Sequence, residues 1–171
     1  MDTSRQTSVV VLDAGHGGTT KALASSPDNA VGVVGTREKD LNLDIATRVA
    51  RLLANHARVF LTREHDVNLS LSDRAAVAKA NGADVFLSIH FNGYRDPAVD
   101  GTEVWVARNA NATSTQLADA VLRKLVKVTG VPNRGLRRAD FGQLLPARHA
   151  PNTAAMLAEV AFLAIRTRSG G

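Results

Sequence analysis

The chain has 171 residues, 44% of them apolar and 22% charged, which is ordinary for one globular domain with a substantial core. The absence of cysteine excludes disulfides and thiolate metal sites, and no apolar run is long enough to cross a membrane. A net charge of +5 permits a polyanionic partner, but an aromatic fraction of 4% does not favour a base-stacking nucleic-acid site.

The first third of the chain predicts a strand, a loop, a helix and a second strand. "SVVVLDA" (8–14) is apolar and β-branched, as expected of a buried strand, and a loop rich in Gly, Ser and Thr follows over 15–36. "DLNLDIATRVARLLANH" (40–56) has apolar residues at helical spacing, with Asp40 as the expected N-cap. "ARVFLT" (57–62) predicts a short strand.

The rest of the chain continues this alternation. Ser70 and Asp73 are expected to form a capping box at the start of a helix that Gly82 ends. Thr113 and Gln116 suit a second capping box. The predicted elements after residue 62 are a helix over 70–82, strands over 83–92 and 101–107, a helix over 113–132 and a strand over 154–163.

The alternation of strands and helices predicts a single α/β domain around a twisted, mostly parallel sheet. We expect a poorly ordered N-terminus over 1–7 and one domain over 8–171, since no repeat or linker divides the chain. The opening "MDTSRQTS" lacks the apolar stretch of a secretory signal, so no signal peptide is expected in this chain.

Polar side chains interrupt or follow three of the apolar strands. His16 follows the first strand, His90 ends the third, and Glu159 lies near the end of the last. Ligands bind beyond the carboxyl ends of parallel strands, so these side chains are expected to converge at one edge of the sheet. Each needs a polar partner, because burying an unpaired polar group costs a few kcal/mol, on the order of 2–7 by transfer scales.

A metal site is one explanation for these residues. Glu38 lies on the loop that returns from His16, and two histidines with one glutamate leave a fourth zinc position open for water. The alternatives are hydrogen-bonded structural histidines, a Glu38 that only favours a helix N-terminus, and a Glu159 paired with an arginine. The residues alone leave this choice open.

The glycines around His16 do not form a phosphate loop. A P-loop needs glycine immediately before its lysine, whereas Lys21 follows Thr20. The dinucleotide-binding pattern would need glycine at Thr20 itself. Both nucleotide interpretations therefore miss a required position.

Successive segments of the chain resemble one family. The segments "VVVLDAGHGG", "GTREKDLNLDIATRVARLL", "VFLTREHDVNLSLSDRAAVAKANGADVFLSIHFN", "GTEVWV" and "MLAEVAFL" are similar, in order, to the zinc-dependent N-acetylmuramoyl-L-alanine amidases of the amidase_3 group. The resemblance implies a single α/β domain of the zinc-exopeptidase/phosphorylase-hydrolase type, with helices flanking the sheet. It also implies hydrolysis of the amide between N-acetylmuramic acid and L-alanine of the peptidoglycan stem peptide.

The same resemblance assigns roles to particular residues. It implies that His16, Glu38 and His90 bind one zinc ion and that Glu159 is catalytic. The substrate contacts expected beside them are made by Gly17, Gly18, Asn92 and His149. For the two glycines, a tight turn is the alternative explanation.

The partners follow from the charge and from the resemblance. Peptidoglycan is the expected substrate, and an anionic cell-wall surface is the expected partner of a basic patch, for which a solvated face is the alternative. The patch consists of Arg134, Arg137, Arg138 and Arg148, with further arginines at Arg166 and Arg168.

The expected place of action is outside the cytoplasm, for a host autolysin or a phage lysin alike. "FNGYRDPAVDGTEVWV" joins two strands directly, so no autoinhibitory helix is expected there. A non-catalytic wall-binding module and a basic nucleic-acid-binding domain are the alternative functions.

Overall fold

The structure, a computed structural model, describes residues 7–164. The segment 1–7, predicted to be poorly ordered, falls outside this range except for its last residue, as do Arg166 and Arg168. The strands are β1 (Val9–Ala14), β2 (Arg58–Leu61), β3 (Val85–Tyr94), β4 (Thr102–Val106), β5 (Asn133–Arg138) and β6 (Ala154–Ala164). The helices are α1 (Glu38–Leu53), α2 (Leu71–Ala80) and α3 (Ala112–Thr129), with short 3-10 helices over Gly142–Leu144 and Pro146–Arg148.

The six strands of the described range form one sheet in the order β2-β1-β3-β6-β4-β5. Every neighbouring pair is parallel except β4 with β6, which is antiparallel. The predicted fold class, one α/β domain with a mostly parallel sheet flanked by helices, is therefore confirmed. No helix in residues 7–164 is long and apolar enough to span a bilayer.

Alternation along the strands divides the core into two layers. On one face, α1 covers Leu12 and Ile89, and α3 covers Met156, with Leu87 of β3 packed in both clusters. On the other face, α2 and the first 3-10 helix cover a cluster that includes Phe86. Successive side chains of a strand point to opposite faces, so each central strand contributes to both layers.

The helix boundaries agree with the capping prediction at α2 and differ at the other two helices. The backbone N–H of Asp73 donates to Ser70 Oγ at 3.1 Å, as the capping box requires. Helix α1 begins at Glu38, so Asp40 lies in its first turn, where a negative charge is favourable, instead of capping it. Helix α3 is capped by Asn111, whose side chain accepts from the N–H of Ser114.

Two features of the sheet were not predicted. Strand β5 lies in a segment that the sequence marked only as a basic cluster. Strands β3 and β6 end at Tyr94 and Ala164, slightly beyond their predicted ends at residues 92 and 163, and a register shift separates His90 from Asn92. The two polar residues are therefore within the paired part of these strands.

Candidate active site

The site begins with His16, two residues beyond the end of β1. Its backbone φ is 60°, a left-handed conformation that is uncommon for a residue other than glycine. The Nδ1–H of His16 donates to the carbonyl oxygen of Ser26 at 3.0 Å. This bond turns the other ring nitrogen, Nε2, toward the carboxylate of Glu38 at 3.2 Å.

Glu38, at the first position of α1, lies between the two histidines. It is 1% exposed, and its Oε1 is 3.2 Å from His16 Nε2 and 3.0 Å from His90 Nδ1. Burial alone would raise the pKa of Glu38, but the hydrogen bonds with His16 and His90 outweigh it and lower the pKa to about 2. Glu38 is therefore a carboxylate at any ordinary pH.

These three side chains form a group that could hold a metal ion. Their donor atoms all lie within 4.8 Å of one another, and the group His16, Glu38 and His90 is the one such cluster found in residues 7–164. The loop after β1, helix α1 and strand β3 each supply one residue. The structure thus brings together the three predicted ligands from distant parts of the chain.

Gly15 lies directly against the ring of His90. A Cβ atom at this position would overlap the ring atoms Cε1 and Nε2 of His90. The backbone N–H of Gly15 donates to Ile89 O at 3.1 Å, which holds the two segments at this separation. The first glycine of "GHGG" therefore makes room for a predicted ligand.

Two buried arginines hold the loop that carries His16. Arg74 of α2 donates to the carbonyl oxygens of Ala14 and His16 at 2.8 and 2.9 Å and forms an ion pair with Asp13 at 2.8 Å. Arg63 donates to the carbonyl oxygens of Ala14 and Gly15 at 2.8 and 3.1 Å. The loop conformation is thus fixed by charge-assisted hydrogen bonds to its backbone.

Glu159 is next to His90 in the β3–β6 ladder and on the same face of the sheet. Its Oε2 is buried and has no hydrogen-bond partner among residues 7–164. Burial raises the pKa of Glu159 to about 8, with smaller contributions from the negative charges of Glu38 and Glu103. Within the same range no arginine pairs with Glu159, so the ion-pair alternative does not describe it.

Three of the four predicted site residues border a common cavity. His16, His90 and Glu159 line a cavity of about 240 Å³ that is also lined by Phe141 and Gln143. A buried carboxyl group with a raised pKa beside a potential metal site can accept and return a proton. The arrangement is suited to hydrolysis.

The predicted substrate residues Gly17, Gly18, Asn92 and His149 are not among the residues that line this cavity. A Cβ at Gly17 would overlap Val67 O, and Gly18 packs on Asn68, so loop packing accounts for both glycines. Asn92 donates to Glu103 Oε1 at 3.4 Å. His149 lines a separate cavity, where its ring packs on Phe86, and burial lowers its pKa.

Comparison with known proteins relates this geometry to a family. The family model described as "N-acetylmuramoyl-L-alanine amidase", Amidase_3, matches residues 10–168. The chain belongs to this amidase family. As an amidase of this family it is a hydrolase of peptidoglycan, in agreement with the predicted function.

Solved amidase structures share the fold across most of their length. The catalytic domain of CwlV, an N-acetylmuramoyl-L-alanine amidase from Bacillus (Paenibacillus) polymyxa var. colistinus, is 34% identical, with a TM-score of 0.79 over 92% of this chain and 82% of that one. An N-acetylmuramoyl-L-alanine amidase from Clostridium difficile 630 is 32% identical, with a TM-score of 0.80 over 93% and 82%. AmiC2 of Nostoc punctiforme is 31% identical, with a TM-score of 0.78 over 93% and 82%. A comparison with curated protein sequences found no match.

Sequence reasoning missed three residues of the amidase, two of them between β5 and β6 and one in β4. Phe141 and Gln143 line the cavity, and Glu103 of β4 lies opposite Glu159 in the ladder. Glu103 is buried and pairs with Arg134 and Arg137 at 3.4 and 3.1 Å. An acid inside the strand "TEVWV" was the one signal in the sequence that could have marked Glu103.

Proposed function

We propose that this amidase is zinc-dependent and that it hydrolyses the amide between N-acetylmuramic acid and L-alanine of the stem peptide. The observation that carries the proposal is the position of Glu159, buried and unpartnered, in the same cavity as two of the three convergent donors. A structural ion-pair cluster would not need an unpaired carboxyl group at its edge.

The donor set fits zinc. The Nδ1–H of His16 donates to the carbonyl oxygen of Ser26. The other ring nitrogen, Nε2, therefore presents a lone pair toward the Glu38 carboxylate, unless a proton or a cation lies between them. Two imidazoles and one carboxylate are ligands that zinc accepts, and they leave a fourth position open. When bound by His16, Glu38 and His90, zinc would polarise the scissile carbonyl and lower the pKa of its bound water.

Glu159 is proposed to move the proton. Its carboxylate takes a proton from the attacking water and then delivers it to the amide nitrogen, which is a poor leaving group until it is protonated. The raised pKa of Glu159, caused first by burial, keeps both protonation states accessible near neutral pH. The cation held by Glu38 and the histidines would oppose this rise.

Contacts with the remaining substrate are proposed for Gly17, Gly18 and Asn92. Gly17 and Gly18 directly follow His16, and Asn92 follows His90 by two residues, so all three lie near the ligands along the chain. The proposed setting is the cell wall outside the cytoplasm, where a host autolysin and a phage lysin would both act.

The basic patch is proposed to attract the anionic wall. Arg134 and Arg137 share the carboxylate of Glu103, which cancels part of their charge. Arg138 donates to the carbonyl oxygens of Ala107 and Arg108, and Arg148 donates to Gly142 O. Since these last two have no acidic partner among residues 7–164, their charges are available to a polyanion.

Digestion of purified peptidoglycan tests the proposed reaction. We expect free lactyl groups and new L-alanine N-termini by mass spectrometry, loss of both with a chelator, and recovery with zinc. Glu159→Gln should keep zinc and fold but lose about 10²–10⁴-fold in turnover, which is the usual contribution of acid–base catalysis. The exposed Glu64→Gln is the matched control. Near-normal turnover of Glu159→Gln, or activity that resists the chelator, would contradict the proposal.

A further inference from the structure

Gln143 is a buried amide that borders the catalytic cavity without a visible structural function. The residue is 4% exposed and lines the cavity together with His16, His90 and Glu159. Its Oε1 is buried without a partner, and its side chain makes no hydrogen bond to any of residues 7–164. An unsatisfied buried polar atom destabilises the folded state, so an apolar side chain would stabilise the free protein better here.

The backbone around Gln143 is held firmly in place. His149 Nε2–H donates to the carbonyl oxygen of Gln143 at 2.7 Å, and Arg148 donates to Gly142 O at 2.9 Å. The next residue, Leu144, is 1% exposed and anchors the 3-10 helix in the core. A Cβ at Gly142 would lie 2.9 Å from Leu71, so the helix also packs closely on α2. The backbone that carries the amide therefore has a fixed position relative to the cavity.

The orphan atom indicates the chemistry of its partner. A carbonyl oxygen only accepts hydrogen bonds, so the missing partner must be a donor. A carboxylate at this position would accept equally well but would add a negative charge beside Glu159, whose pKa is already raised by burial and by Glu38 and Glu103. A neutral acceptor such as Gln143 Oε1 is suited to a hydrogen bond from a neutral donor. In a stem peptide, the abundant neutral donor is the peptide N–H.

We propose that Gln143 Oε1 accepts a hydrogen bond from the first stem-peptide N–H beyond the scissile amide, that is, from the N–H of the residue that follows L-alanine. Gln143 would then bind and select the peptide part of the substrate. The inference rests on the proposed function, in which Glu159 serves the scissile nitrogen itself. The next N–H lies one residue away, at the roughly 3.8 Å spacing of consecutive Cα atoms. The Nε2 of the same amide can donate to a neighbouring peptide carbonyl.

The substitution Gln143→Met tests this role because it keeps the side-chain length and removes the acceptor. With N-acetylmuramoyl-L-alanyl-D-isoglutamine as substrate, we expect KM to rise about 5- to 100-fold, the equivalent of one hydrogen bond to a buried group, with kcat changed about two-fold or less. The melting temperature should stay the same or rise, because the unpaired amide is gone. The exposed Gln116→Met of α3 is the control and should leave KM, kcat and melting temperature unchanged. A lowered melting temperature with unchanged KM would show a structural role and overturn the proposal.

A substrate analogue identifies the hydrogen-bond donor. An ester in place of the first peptide bond of the stem removes only the proposed N–H. The wild type should bind the ester analogue more weakly than the amide compound. The loss of affinity should be about as large as the loss that Gln143→Met causes with the amide compound. The variant Gln143→Met should bind the two compounds with equal affinity. If Gln143→Met still discriminates between them, the proposed contact is wrong.

Calorimetry separates this proposal from the proposed reaction. The same two compounds are titrated into Glu159→Gln and into Glu159→Gln/Gln143→Met, with no turnover required. If the wild-type chain has no amidase activity, the proposed reaction is contradicted. The role of Gln143 would still be supported if the double variant binds the amide compound more weakly than Glu159→Gln does, while both variants bind the ester compound equally. Equal affinities in both variants would overturn it.

Discussion

The position of Gly15 shows how one missing side chain supports the site. The ring of His90 occupies the space where a Cβ of residue 15 would be. Protein interiors are closely packed, so a methyl group here must move either the ring or the backbone that follows directly on β1. Because β1 is held by strands on both sides, the ring is the part that moves.

We therefore expect Gly15→Ala to impair metal binding more than folding. Zinc affinity measured by competition with a chelating dye should fall at least about 10-fold, which is the usual cost of disturbing the orientation of a metal ligand. Gly32→Ala is the control, since its Cβ would meet Thr36 O at an ordinary 3.5 Å. Equal zinc affinity of the two variants would show that His90 does not need the space beside Gly15.

At the scale of secondary-structure elements, β5 is the edge strand that carries three of the four arginines of the basic patch. Its residues Arg134, Arg137 and Arg138 lie beside β4, and Arg137 also lies over the ring of Trp105 at 5.5 Å. Trp105 in turn contacts Phe141, which lines the cavity. Arg137 is thus connected through Trp105 and Phe141 with one wall of the cavity that Glu159 lines.

Replacement of Arg138 and Arg148 by glutamine should weaken pelleting with purified sacculi at low salt. The dependence of pelleting on salt should also become shallower, because fewer charges face the polyanion. Arg48→Gln/Arg51→Gln on α1 removes the same charge from another exposed surface and is the control. If both double variants pellet alike at every salt concentration, the patch has no specific role in wall attraction.

At the scale of the whole molecule, the alternation of apolar strands and amphipathic helices was enough to predict the fold class. Local patterns do not encode the direction in which strands distant in sequence pair, so the antiparallel pairing of β4 with β6 could not be predicted. Strand β5 was missed because "NRGLRR" has three arginines and a glycine, a composition typical of exposed loops. Its strand conformation comes from pairing with β4 instead of from its own propensity.

The candidate site was predictable to a different extent. His16, His90 and Glu159 stood out as polar residues at apolar strands, and the resemblance to a family connected them with Glu38. Gln143 gave no such signal, because "FGQLLP" has no periodicity and its importance comes from burial beside residues distant in sequence. Contacts of this kind depend on tertiary packing, which a local pattern does not contain.

The stability of the metal-free protein should depend on pH through Glu159. Its folded pKa, raised to about 8 by burial and neighbouring charges, exceeds the ordinary value of 4.5, so its favourable contribution is present at low pH and is lost as the pH rises toward 8. The pKa of Glu38 is lowered to about 2, so its contribution is constant over this interval and is lost only in strong acid.

We expect the chelated wild type to lose stability relative to Glu159→Gln between about pH 5 and pH 8, by on the order of a few kcal/mol. Denaturant unfolding of both proteins with a chelator, at several pH values, measures this difference. The raised pKa of His16, which Glu38 causes against the effect of burial, affects both proteins alike and cancels in the comparison. Parallel stability curves would mean that Glu159 ionises normally in the folded state.

The arginine contacts around the His16 loop have a consequence for how a metal ion would enter and leave. Arg63 and Arg74 satisfy the carbonyl oxygens of Ala14, Gly15 and His16 with protein donors alone. The loop therefore has its conformation before any ion arrives, and ion binding does not have to order the backbone. Unlike small domains that are unfolded without their metal, this chain would pass between loaded and empty forms as a folded protein. Its occupancy would then follow the free zinc concentration around it, reversibly and without a refolding step.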